Sequence, residues 1–233
     1  MRRPPRLNGQ RFLTSIVIDF LNRITMRRFA LACLFLSFAL GVRGIYAQTP
    51  QTPQAPTASM RSGFGEKIQI KHVPNAGRIS EHLYRGAQPK PGGLEQLQAL
   101  HITTIVDLRS EDSATRDREQ KEAEARGIHF VSIPVGEFSP PTGAQVALFL
   151  SLFGEDSKET VFVHCQYGKD RTGVFIATYR MSIQKWTAEQ ALNEMYFFGF
   201  NRTWHPEMIS FVREFPSLLS SDPALQSLSR SKP

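Results

Sequence analysis

His164-Cys165-Gln166-Tyr167-Gly168-Lys169-Asp170-Arg171-Thr172-Gly173 decides the reading of this 233-residue chain. Before it runs Val161-Phe162-Val163, apolar and largely β-branched, which reads as a buried strand. After it, Val174 to Arg180 carries a helical pattern. A thiol therefore stands where a strand ends, and the tight turn that follows runs its N–H groups into a helix N-terminus. Such a turn cradles an anion, and phosphate is the anion that fits. The same dipole draws the Cys165 thiol toward its nucleophilic thiolate form.

Hydrolysis of a phosphate monoester needs a cradle, a nucleophile, a donor for the leaving oxygen and a water. Cys165 supplies the nucleophile and forms a thiophosphate intermediate. Arg171 returns at the helix start with a planar fork that grips two phosphate oxygens, which a Lys does less well. The N–H groups of Gln166, Tyr167, Gly168, Lys169, Asp170 and Arg171 face the same centre, and Gly168 permits backbone angles a larger residue resists. Thr172 offers its hydroxyl to the sulfur. His164 reads as an orienting residue behind the loop. A solitary cysteine is more often an inert core residue, but these neighbours argue otherwise.

His164-Cys165, Gly168, Arg171, Thr172 and Gly173 resemble the His-Cys-x5-Arg-Ser/Thr signature of the protein tyrosine phosphatase superfamily. Gly168 to Gly173 is similar to the Gly-Lys-Asp-Arg-Thr-Gly loop of bacterial tyrosine and lipid phosphatases. Leu83 to Pro89 and Ile105 to Arg109 resemble elements of compact dual-specificity-like phosphatases, the plant and fungal atypical branch included. The similarity spans about residues 65–215. It implies a cysteine-phosphatase fold, a phosphorylated protein, lipid or inositol phosphate as substrate, and no metal or cofactor. It also implies a general acid, usually an Asp about thirty residues before the Cys. Val131 to Pro141 holds no Asp; Glu137, 28 residues before Cys165, is the carboxylate there. Asp170, inside the cradle, has this role in related Lys-Asp-Arg loops and is favoured here over Glu137. Lys169, at the rim, implies tolerance of highly charged substrates.

Charge is unevenly spread. The chain holds 28 Lys/Arg and 21 Asp/Glu, of which residues 1–47 take eight and one, leaving 20 of each. With the folded part neutral, a nucleic-acid partner loses its support. Arg27-Arg28 precede an apolar run of fourteen residues, Phe29 to Val42, and then Arg43-Gly44-Ile45-Tyr46-Ala47, which ends on a small residue. This reads as a signal peptide over 1–47, cleaved after Ala47, with an uncleaved membrane anchor as the alternative. Met26 is an alternative start, making 1–25 an upstream extension. Residues 48–63, rich in Pro, Gln and Thr, read as a disordered linker. The chain has two cysteines, and Cys33 lies inside the apolar run, so Cys165 alone remains for the mature protein.

From 64 to 225 one α/β domain is expected, with a flexible tail at 226–233. Strands are expected at Ile68 to Val73 (an edge), Ile79 to Tyr84, Ile102 to Leu108 and Ile128 to Val135, besides the one before Cys165. Helices are expected at Leu94 to Leu100, Thr115 to Arg126, Thr142 to Phe153, Thr187 to Phe198 and Pro206 to Phe215. The alternation predicts a central, mostly parallel sheet flanked by helices. The reading is a secreted or periplasmic bacterial phosphatase. Three alternatives are a cysteine phytase, a rhodanese-like sulfurtransferase and a phosphate-binding pseudophosphatase.

Overall fold

The computed structural model describes residues 63–230. The leader, the upstream extension and all of the linker but Gly63 lie outside the described residues. A six-stranded sheet in the order β1-β2-β3-β6-β4-β5 organises the domain. It comprises β1 (Glu66–Lys67), β2 (Gly77–Arg78), β3 (Leu83–Ala87), β4 (Thr104–Arg109), β5 (His129–Val135) and β6 (Val161–Cys165). The four longest strands pair in parallel, while β1, β2 and β3 form an antiparallel edge. The expected mostly parallel sheet is present.

Two expected strands are redrawn. Ile68 to Val73 is not an edge strand. It doubles back at His72 (φ 66°), so Ile70 and Val73 meet as an isolated bridge. The run Ile79 to Tyr84 is instead a hairpin bend: Ile79 N–H and Ser80 N–H both donate to Leu83 O, at 2.8 and 3.2 Å, joining β2 to β3. Alternation of apolar residues was the signal at Ile68 to Val73, and a turn interrupts the strand there without disturbing that alternation.

Helices cover both faces. α1 (Gly93–Ala99) and α2 (Ser113–Glu124) lie on one side, where Leu94, Leu97 and Ala123 pack on Ile105 and Phe162. On the other are α3 (Gly143–Leu150), α4 (Asp170–Ser182), α5 (Ala188–Phe197) and α6 (Pro206–Ser221). There Phe149, Phe175, Met195 and Phe215 close over Val106, Val161 and Val163. α3 and α5 each start in a capping box, Thr142 with Gln145 and Thr187 with Gln190. α4 is buried from Arg171 through Met181, the mark of a central helix rather than an amphipathic surface one. α7 (Pro223–Arg230) runs through the point at which the sequence places the start of a flexible tail. Among the described residues no helix is long and apolar enough to cross a membrane.

Candidate active site

Strand β6 ends at Cys165, and α4 begins five residues later at Asp170, so the intervening loop must turn within Gln166 to Lys169. Gly168 makes that possible at φ +63°. A Cβ there would lie 2.3 Å from Gly86 C and O, so the loop rests directly on the β3 backbone and only glycine fits. Two side chains fasten it from beneath. Gly168 O accepts Arg85 Nη2–H at 2.6 Å and Asn75 Nδ2–H at 2.7 Å. Asn75 also donates to Phe198 O at 3.2 Å, tying the loop to the end of α5.

The thiol is buried, and burial by itself raises its pKa. The Thr172 hydroxyl, the Thr172 N–H, the Arg171 charge and the Tyr167 N–H outweigh that and bring it below the ordinary value. Thr172 Oγ1 is buried and makes no hydrogen bond to any other group, so its hydroxyl is free to turn toward the sulfur on which it acts. The first turn of any helix carries N–H groups without intrahelical partners. The Arg171 charge and the N–H groups of Thr172 and Tyr167 act on the same Cys165 sulfur.

Arg171 is clamped by a residue the sequence did not single out. Its Nη1–H and Nη2–H donate to Glu111 Oε2 and Oε1 at 2.7 and 2.8 Å, and Nη1 also donates to Val135 O at 3.2 Å. A guanidinium has five N–H groups. Glu111 occupies the Nη1/Nη2 edge, so the Nε–H and second Nη2–H remain as a fork on the other edge, which suits two oxygens of a phosphoryl group. Burial opposes the Arg171 charge, but Glu111, Cys165 and Glu137 more than offset it, in that order.

The Arg171 pair holds the Glu111 carboxyl at about 2, against an ordinary 4.5. A depressed acid stabilises the fold fully above its unfolded pKa and loses that contribution as pH falls through the folded one. The stability difference between the wild type and Glu111→Gln is therefore expected to be complete above pH 4.5 and to vanish toward pH 2. Urea unfolding across that range checks it; a difference independent of pH would contradict the clamp.

The two carboxylates expected as proton donors are placed differently. Asp170 accepts from Asn201 N–H at 2.8 Å, and its other oxygen lies 3.6 Å from His205 Nε2. It is engaged with the loop between α5 and α6. Glu137 stands exposed on the loop after β5 and contributes to the Arg171 charge. Its neighbour Phe138 stacks on His205 at 5.4 Å, which brings the Glu137 loop against the Asp170 side of the cradle. Phe138, on this loop, and Tyr167, in the cradle, are 56 and 62 % exposed. Lys169 is exposed, and its stem lies over Gly199. Gln166 is exposed at the cradle.

Behind the loop, on the opposite face of the sheet, His164 is fully buried. Its Nε2 stands 3.0 Å from Glu119 Oε1, too poorly aligned for a hydrogen bond, and Nδ1 is 3.9 Å from Asp107 Oδ1. Burial disfavours the imidazolium, but Glu119 and then Asp107 raise its pKa overall. Arg109 joins both acids, with Nε to Asp107 Oδ1 at 2.8 Å and Nη2 to Glu119 Oε2 at 2.6 Å. This group braces the loop and does not face the sulfur. Among the described residues no group of three or more His, Cys, Asp and Glu side chains is placed to hold a metal ion.

Residues 70–209 match the family described as DSP-PTPase phosphatase fused to NAD+ kinase. The chain belongs to this DSP-PTPase family. Its relatives include the dual specificity protein phosphatase TpbA of Pseudomonas aeruginosa strain UCBPP-PA14, 30% identical over 126 residues, covering 54% of this chain and 55% of that one. Another is the inositol diphosphatase DSP3 of Arabidopsis thaliana, 25% identical over 145 residues, covering 60% and 70%. The chain thus spans about half the length of the TpbA sequence, 55%. The crystal structure of P. aeruginosa TpbA in complex with pTyr has the same fold, with a TM-score of 0.57, 24% identity and coverage of 72% of this chain and 96% of that one. The matched residues include the whole of the loop described above.

Proposed function

We propose that this protein is a cysteine-dependent phosphatase that hydrolyses phosphate monoesters through a thiophosphate on Cys165. A Cys165 sulfur acted on by the Arg171 charge and by the Thr172 and Tyr167 N–H groups, with the Nε/Nη2 edge of Arg171 left over by Glu111, supports this reading. The thiolate attacks phosphorus, the ester P–O bond breaks, and its electron pair leaves on oxygen, which takes a proton. Water then attacks phosphorus, the P–S bond breaks, and phosphate departs. Gln166, Tyr167, Gly168 and Lys169 supply the cradle, and Thr172 steadies the sulfur as attacking and as leaving group.

The proton donor is assigned to Glu137. Asp170 is held by the Asn201 N–H and His205, whereas Glu137 is exposed over Arg171 on a loop seated by Phe138. A donor matters in proportion to the basicity of the leaving oxygen. Glu137→Gln is therefore expected to slow phenyl phosphate hydrolysis by about 10²-fold and p-nitrophenyl phosphate much less. If Asp170→Asn shows that leaving-group dependence and Glu137→Gln does not, the roles are reversed.

Among substrates, the site favours a single phosphoryl group on an aromatic ring. Phe138 and Tyr167 offer exposed aromatic surface beside the cradle, and the exposed Glu137 that acts on Arg171 opposes a second phosphate there. The pTyr complex of TpbA supports this choice; DSP3, an inositol diphosphatase by name, supports the other. Lys169 is the exposed cation of the cradle itself. Residues 1–47 belong to the same proposal as an export leader of a secreted or periplasmic bacterial enzyme. N-terminal sequencing of the exported protein is expected to begin at Gln48; a chain that keeps Met26 or Met1 in the membrane fraction would make the segment an anchor.

A further inference from the structure

Arg85 on β3 is 0 % exposed and makes one hydrogen bond, from Nη2 to Gly168 O at 2.6 Å. Its Nε and Nη1 are buried without a partner, and no carboxylate among the described residues pairs with it. Its guanidinium lies over the Phe198 ring, 4.2 Å from the centroid. A buried cation left unpaired is among the costliest arrangements a fold can hold, because burial disfavours charge and no anion repays it. That cost shows in the guanidinium itself, lowered to about 10 chiefly by burial.

Three anions act on Arg85. Glu194 is the strongest, but both its oxygens already bind Arg180, at 2.9 and 2.5 Å, and the Arg180 charge opposes that of Arg85. Asp170 acts more weakly and is engaged by Asn201 and His205. The remaining anion is Cys165. The parallel register pairs Arg85 with Val163 and Ala87 with Cys165, so Arg85 and Cys165 project from the same face of the sheet. His164, with Glu119, Asp107 and Arg109, lies on the other face.

We propose that Arg85 is a positioning residue of the catalytic loop: a fixed second cation beneath it that favours the Cys165 thiolate and seats the loop through the Gly168 carbonyl. Arg171 meets the phosphoryl group from above, while Arg85 never touches substrate. The thiolate in turn supplies the negative charge that makes burial of Arg85 tolerable. The purpose of the device rests on the phosphatase reading, but its test reads the sulfur and not turnover.

The experiment titrates Cys165 by its ultraviolet thiolate absorbance in the full chain, with Cys165→Ser as the blank. Arg85→Gln keeps a donor for Gly168 O and removes the charge. It is expected to raise the Cys165 pKa by about one unit, with iodoacetate alkylation at low pH slowed about tenfold. Arg85→Lys keeps a cation and is expected to hold the pKa within about half a unit. A folded Arg85→Gln protein with the wild-type thiol pKa would overturn the proposal. Should the Gln variant not fold, the Lys variant decides: a folded Arg85→Lys protein whose thiol titrates like free cysteine overturns it equally. Loss of phosphatase activity with an unchanged thiol titration would leave Arg85 a loop support only, which also contradicts the proposal. Absence of phosphatase activity in the wild type would instead strike at the functional reading.

Discussion

Cys165→Ser is expected to reduce hydrolysis of p-nitrophenyl phosphate by about four orders of magnitude or more while leaving phosphate binding intact. The asymmetry follows from what the residue does. Serine keeps the size of the side chain and the N–H groups of Gln166 to Arg171, so the cradle survives. Its hydroxyl, however, does not ionise at the helix N-terminus as a thiol does. Cys165 is drawn below the ordinary thiol range by Thr172, Arg171 and Tyr167 against the opposing effect of burial. Isothermal titration with inorganic phosphate or vanadate, alongside the turnover assay, separates the two effects. A variant that loses binding and turnover together would mean that the substitution had damaged the loop.

Arg171→Lys is expected to cost about 10³-fold, mostly in kcat. Lysine keeps the charge but has no second edge. In the wild type, Glu111 and Val135 O hold one side of the guanidinium and leave the Nε/Nη2 edge for a phosphoryl group. A single ammonium drawn to Glu111 has no rigid fork left for the phosphoryl oxygens, whose charge is most spread in the transition state. The measurement is kcat and KM with an aryl phosphate. A change confined to KM would mean that Arg171 binds the ground state and transition state alike.

The part of this site that is local in the chain was legible in the sequence. Cys165, Gly168, Arg171 and Thr172 fall within one strand-turn-helix connection, so their spacing fixes their geometry. The residues that hold them in place come from far away: Glu111 is 60 residues from Arg171, while Arg85 and Asn75 are 83 and 93 residues from Gly168. No periodicity or short motif announces such contacts. Arg85 was visible within Leu83 to Pro89, but its burial was not, since an arginine in sequence reads as a surface residue. The same divide runs through the fold. The near-continuous β-rich run at Ile102 to Leu108 marked a strand covered on both faces, because burial on two sides needs no alternation. The bends at His72 and at Ile79 to His82 escaped, because backbone hydrogen bonds make them rather than Gly-Pro punctuation. The Asp170 carboxylate was judged by its place in the loop, and its contacts to Asn201 and His205 became visible only once α6 was in place.

The most direct measurement is a rapid acid quench of the wild-type protein during turnover of an aryl phosphate, followed by mass spectrometry of the peptide containing Cys165. The account predicts one phosphoryl group on that sulfur, present during turnover and absent in Cys165→Ser. Steady release of phosphate with Cys165 unmodified at every quench time, or undiminished turnover in the serine variant, would contradict it.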